Sequence, residues 1–177
     1  MNEETWRHLI DDHARFPAAM LALFQGSELE LLRSRPAPGK WSPLEILAHL
    51  RDEEVEDFRP RAMCALEGRP IEQGIDPEGW VTERRYNEMD PGAVFLDWSS
   101  ERADSCRWLA TLDRADLENK LEHPKFGPIR AGDFIAAWRV HDLLHLRQFS
   151  KTMAVLWAGQ LGDWAVEYAG EIPKFDD

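Results

Sequence analysis

Trp41-Ser42-Pro43-Leu44-Glu45-Ile46-Leu47-Ala48-His49-Leu50 is the stretch from which the fold is read. Ser42 is placed to cap a helix, and Pro43 fits its first turn, where a missing N–H costs nothing. Glu45 completes a Ser-x-x-Glu box, in which the two side chains satisfy each other's backbone N–H groups. The pattern predicts a helix continuing to about Leu66, with Leu44, Leu47, Val55 and Phe58 as its inward stripe. His49 falls in the middle of that helix.

Outward from this segment, proline and glycine divide the chain into further long helices rather than repeated short strands. Upstream, a helix is expected from about Thr5 to Leu32, with Leu9, Phe16, Met20, Leu23 and Phe24 near helical spacing and Pro17 placed to kink or divide it. Arg33 to Lys40, with two prolines and a glycine, reads as the connector. Downstream, Gly68 to Gly79 reads as a long turn-rich connection, followed by a weakly patterned stretch containing Trp80, Val81 and Tyr86. Asp90-Pro91 resembles a cap and first-turn pair for a third helix carrying Phe95, Trp98, Arg102, Leu109 and Leu112. His123 to Gly132 is rich in turn residues. Beyond it, Phe134, Trp138, His141, His145 and Phe149 share a face of a fourth helix ending near Trp157 or Gly159. A short final helix over Leu161 to Ala169 is expected, with Pro173 and Asp176–Asp177 outside it. The fold class is therefore all-α: a four-helix bundle with a long connector between its second and third helices, expected to form a single domain over residues 1–177.

Composition narrows the function. Of 177 residues, 44% are hydrophobic and 31% charged, as in a folded globular protein. Lys and Arg number 21 against 33 Asp and Glu, a net charge of −12 that argues against nucleic acid or anionic lipid as a partner. No apolar run approaches the roughly 18 residues of a membrane span, and the N-terminus, interrupted by Glu3, Glu4, Asp11 and Asp12, does not resemble a secretory leader. Cys64 and Cys106 are too few for a disulfide framework, so a cytoplasmic location is expected. No glycine-rich phosphate cradle or Ser-x-x-Lys arrangement occurs.

Histidine carries the chemistry. His141 and His145 stand four residues apart, on one helical face and about 6 Å apart along its axis. A bundle can bring His49 opposite them, and three imidazoles hold a divalent metal while leaving a position for water or substrate. The competing reading, and the commoner one on composition alone, is three partly buried histidines satisfied by polar neighbours. Glu53, one turn after His49, is the candidate catalytic carboxylate, to orient an imidazole or carry a proton, against the plainer role of an exposed helix charge. Arg102, Trp138 and Gln148 are candidates to line a pocket. Each has a structural alternative: a surface charge or ion pair, a core aromatic, and a buried amide hydrogen bond. Asp142 points about 100 degrees away from His141 and reads as structural or solvated. Trp41 reads as a packed start to its helix, and Arg85 and Tyr86 lie in the connector, within reach of a bundle mouth. Neither cysteine has a sequence-defined base beside it, so both read as filling apolar space.

Trp41 to Leu50, followed by Glu53, resembles the first motif of the DinB/YfiT-like metal-dependent helical-bundle superfamily, especially its DinB-like branch. His123-Pro124-Lys125-Phe126-Gly127, followed by Trp138 and by His141-Asp142-Leu143-Leu144-His145-Leu146-Arg147-Gln148, resembles the second. The ordered resemblance covers about Leu9 to Leu156. It implies that His49, His141 and His145 bind a divalent metal, zinc or nickel, and that the protein forms a homodimer. Relatives include enzymes that transfer a low-molecular-weight thiol to an electrophile, isomerise a thiol adduct, or act on related small molecules. The expectation is a metal-dependent small-molecule enzyme, either a thiol S-transferase or a hydrolase. The alternative is a noncatalytic, metal-stabilised bundle acting in protein interaction or regulation.

Overall fold

Ser42 caps its helix through the reciprocal bonds its neighbours predict. In the computed structural model, which describes residues 1–72 and 74–175, Ser42 Oγ accepts from the Glu45 N–H at 3.1 Å and Glu45 Oε2 accepts from the Ser42 N–H at 2.7 Å. Glu45 is fully buried, and Arg35 from the preceding connector donates to both its oxygens. The box therefore fixes the connector as well as the helix start.

That helix, α3 (Pro43–Glu53), widens into a π-helical turn over Glu54–Phe58 and resumes as α4 (Arg59–Glu67). Pro60 supplies the reason: it has no N–H for the Glu56 carbonyl, and its ring crowds that carbonyl, so the regular register cannot pass through unchanged. Asp52, Glu53, Glu54, Asp57 and Phe58 are buried, whereas Val55, expected in the inward stripe, is only partly so.

The first helix, α1, spans Glu3–Phe24 and runs through Pro17 without a break. It ends not at Leu32 but before Gly26, whose φ of +83° turns the chain, and Leu29–Arg33 form the separate short α2. Pro17 cannot donate to the His13 carbonyl; Arg102 does so instead, at 3.3 Å.

The long connection after α4 is shorter than expected, because Asp76 caps α5 (Pro77–Glu83), which buries Trp80 and Val81. A 3-10 turn over Tyr86–Glu88 follows, then α6 (Pro91–Leu109), capped by Asp90 and ending before Leu112. The turn-rich stretch at His123 holds a hairpin, β1 (Lys120–His123) antiparallel to β2 (Gly127–Arg130). Its four-residue strands are too short for alternation to be visible in sequence, and Gly127 supplies the positive φ of its turn. The last long helix, α7, spans Ala131–Gln160. The expected helix over Leu161 to Ala169 is only a 3-10 turn at Glu167–Ala169. Trp164 and Tyr168 are exposed there, so no buried face offsets the cost of helix nucleation.

The fold is all-α apart from the hairpin: α1, the α3–α4 rod, α6 and α7 pack as a four-helix bundle. Its core has two apolar clusters, one with Met20, Leu47, Trp98 and Phe149, the other with Trp6, Ala62, Leu109 and Ile135. On each of the four helices, buried polar residues lie in sequence between the two clusters: His13, Glu54, Arg102 and Asp142. Among the described residues no helix is long and apolar enough to cross a membrane.

Candidate metal centre

α3 contributes His49 and α7 contributes His141 and His145, and their Nε2 atoms converge. The separations are 3.3 Å for His49–His141 and 3.0 Å for each of the other two pairs. Nitrogens bound at 2.0–2.1 Å to one ion lie about 2.8 to 3.4 Å apart, depending on whether coordination is octahedral or tetrahedral, so the three rings fit a single divalent ion.

Hydrogen bonding alone does not account for the cluster. Gln148 Oε1 accepts from His145 Nδ1–H at 2.7 Å, which leaves a bare lone pair on His145 Nε2, directed at the other two rings. His49 Nδ1 and His141 Nδ1 have no hydrogen-bond partner. Burial, then the neighbouring imidazoles, lower His49 to about 2; burial and His145 lower His141 to about 3; burial lowers His145 as well. All three rings are neutral at pH 7, the form that ligates a metal.

Aromatic rings enclose the triad. The Trp41 ring lies 4.9 Å from His49 and stacks parallel to His145 at 6.3 Å, and Phe58 lies 4.8 Å from His141. Sequence reasoning placed Trp41 only at the helix start and Phe58 only in the apolar stripe. Trp41 precedes the cap at Ser42 and lies outside the helix, so spacing offered no signal for it, and Phe58 is turned to His141 within the π-helical turn, which offered none either.

Glu53 is buried behind His49, its Oε1 3.9 Å from Nδ1 and thus on the far side of the ring from the converging Nε2 atoms. Burial, reinforced by Asp57, pushes its carboxyl well above the usual range. Gln148 is at the site through its bond to His145. Trp138 is one layer removed: it stacks on Phe58 at 5.9 Å and lies 5.1 Å from His13.

Arg102 belongs to a separate buried knot. It donates to Glu54 at 2.8 Å, to both Asp142 oxygens at 2.8 and 3.0 Å, and to the His13 carbonyl. His13 Nδ1 is 3.4 Å from Asp142. The knot thus draws one residue from each rod of the bundle, and Arg102 makes no hydrogen bond to Glu53. Asp142 is structural, as its angle on α7 implied. Tyr86 is fully buried and donates to Asp52 at 2.7 Å, while exposed Arg85 pairs with Glu88. Cys64 and Cys106 are free thiols, the second pushed up to about 11 by burial.

Together these features define a helical bundle that presents three imidazoles to a divalent metal. Residues 13–149 match the DinB superfamily, and the chain belongs to that family. A protein of Oceanobacillus iheyensis, provisionally named a metal-dependent hydrolase, is 24% identical over 109 residues. That alignment covers 61% of this chain and 62% of the relative, less than two thirds of its length. YfiT from Bacillus subtilis, described as a probable metal-dependent hydrolase with an unusual four-helix bundle topology, superposes with a TM-score of 0.78 at 17% identity, over 93% of this chain and 91% of that one. The latter is a likeness of fold.

Proposed function

We propose that the chain is a metal-dependent enzyme acting on a small molecule, with hydrolysis as the leading reaction and transfer of a low-molecular-weight thiol as the second. The observation that carries this reading is the convergence of three neutral imidazole nitrogens beside a cavity that reaches His145. Three protein ligands, rather than four, are what a reactive site requires, since a structural site closes its coordination sphere with protein. This favours catalysis over a metal that merely stabilises the bundle.

His49, His141 and His145 would hold the ion, zinc or nickel. Bound there, a divalent ion acts as a Lewis acid that acidifies water or a thiol and polarises an electrophile. The chain's own residues do the rest. Gln148 holds His145 in the tautomer that leaves Nε2 free. Glu53, behind His49 and 3.9 Å from its Nδ1, is the candidate proton carrier. Trp41 and Phe58 shield the rings and limit the water that reaches them. We further propose a homodimer located in the cytoplasm, the latter supported by the two free thiols.

Elemental analysis of protein purified without added metal, beside the triple variant His49→Ala/His141→Ala/His145→Ala, tests the site. Near-stoichiometric metal in the parent and its loss from a folded variant are expected. Absence of metal from both, even after reconstitution, would overturn the reading in favour of a noncatalytic bundle. The loaded parent is then assayed on ester and amide panels, and on electrophiles with added thiol, to separate the two reactions. Sedimentation tests the dimer.

A further inference from the structure

The charged groups lining the two cavities beside His145 are mostly basic. A cavity of about 270 Å³ opens beside His145 and is lined by Lys40, Trp41, Gln148, Thr152 and Phe175. A second, of about 550 Å³, shares Gln148 and Phe175 with the first and adds Arg147, Lys151 and Lys174. The floor common to both is α7: His145, Gln148 and Thr152 follow at i, i+3 and i+7 on one face, with Arg147 and Lys151 four apart beside them. Residues from the C-terminal segment form the outer wall, held in part by Lys151 Nζ over the Phe175 ring at 4.2 Å.

Consider what these groups can still bind. Gln148 has committed its oxygen to His145, so its amide N–H₂ remains, a donor. Thr152 is 1% exposed, and its buried hydroxyl has no partner. Lys40, Arg147 and Lys151 have no carboxylate within ion-pair distance among the described residues, whereas Lys174 lies 4.0 Å from Glu171. Four of the five charged residues lining the two cavities are basic, in a chain whose acids outnumber its bases 33 to 21. The fifth is Glu78, on α5, which disfavours a second negative charge on the ligand. A buried hydroxyl and an uncommitted amide, beside cations that have no carboxylate partner among the described residues, suit an acceptor with a single negative charge.

We infer that the substrate carries a carboxylate, bound by Gln148, Thr152, Lys40 and Lys151, with its reacting group approaching the triad from the His145 side. The inference rests on the metal-dependent reading above and adds the substrate class. The smaller cavity, near the low end of the roughly 300–1,000 Å³ of ligand pockets, limits the part of the molecule beside His145 to a small one.

The test uses two hydroxamates of similar length, so that a common metal-binding head carries different tails: succinic monohydroxamate, ending in a carboxylate, and butyrohydroxamate, ending in a methyl group. Each is titrated calorimetrically into zinc-loaded protein at low and at high salt. The carboxylate probe should bind about fivefold more tightly at low salt, the size of a favourable exposed charge contact, with the advantage shrinking as salt rises. In the double variant Lys40→Met/Lys151→Met, which keeps much of each apolar stem, the advantage should vanish while metal content and butyrohydroxamate affinity hold. Equal affinities in the parent, or a preference that survives the double substitution, overturns the inference. Metal content, measured separately, judges the underlying reading. If the protein takes up no metal, that reading falls, and succinate titrated into the metal-free protein still tests the rim: unmoved Gln148 and Lys151 amide resonances would overturn the carboxylate assignment too. Failure of both hydroxamates to bind loaded protein overturns both.

Discussion

Two polar groups stand side by side in this bundle, a fully buried knot and a partly buried triad, and they are built on opposite principles. In the knot of Arg102, Asp142, Glu54 and His13, the strongest donors and acceptors meet inside the protein. Burial alone would raise Asp142, but the Arg102 guanidinium and the His13 hydrogen bond outweigh it and hold the carboxyl below its ordinary range. In the triad of His49, His141 and His145, like meets like, and nothing internal accounts for the convergence. His141 and Asp142 are neighbours in sequence, so the same helix serves both groups, one on each of two adjacent faces. A buried cluster whose charges complement one another acts as a fastening, whereas one whose lone pairs converge is poised for a ligand.

The largest effect that could break this contrast is loss of the knot. Arg102→Met strands Asp142 and frees the His13 carbonyl, and chemical denaturation in chelator should show a loss of about 3–5 kcal/mol, as for one partner removed from a buried ion pair. The triple alanine variant of the triad should cost less under the same conditions. The reverse ranking would mean that the histidines, not the knot, fasten the bundle. Next comes the metal. At a free concentration one hundred times the dissociation constant, a ligand of the native state adds about 2.7 kcal/mol, which the parent should gain on loading and the triple variant should not.

Acid separates the groups further. His49 and His141 have folded-state pKa values of about 2 and 3, below the ordinary 6.5, so the unfolded chain takes up protons first as pH falls. Their contribution to stability is complete above about pH 7.5 and declines below 6.5. The metal-free parent should lose about 2 kcal/mol more than the triple variant between pH 6 and 5. Asp142 acts lower: its folded pKa is depressed, so its contribution is present above about 4 and is lost as pH falls through the folded value. Parallel pH profiles for parent and triple variant would show that the rings are not held neutral.

The sequence carried the triad further than the knot. His49 lies on a helix whose cap is written in Ser42 and Glu45, and His141 and His145 share a face by spacing alone, so helical geometry could align them. Arg102 was visible only as an interruption in an apolar stripe. Its partners lie 48, 40 and 89 residues away, and one of them is a backbone carbonyl released by Pro17. Phe58 is buried as its place in the stripe implied, but its turn toward His141 and the burial of Glu54 could not be read beforehand, because an unbroken α-helical register does not describe the π-helical turn before Pro60. The hairpin at His123 and the separate α2 escaped for a simpler reason: elements of four and five residues are too short to show a period.

The smallest effect tests the one point at which the triad does have an internal partner. Gln148 Oε1 takes the Nδ1 proton of His145 and so selects the tautomer with Nε2 bare; leucine there fills similar space but accepts nothing. Gln148→Leu should weaken metal binding at least tenfold, about 1.4 kcal/mol, measured by competition with a chromophoric chelator. Gln148→Glu, which restores an acceptor, should recover most of that loss, whereas a purely structural role would leave metal affinity the same in both variants. Because Nδ1 of His49 and of His141 lacks any such bond, the loss should come from one ring in three, and metal content at saturation should remain near the parent's. Saturation content falling to that of the triple alanine variant would mean that His145 alone organises the site, and the picture of three equivalent ligands would give way to one.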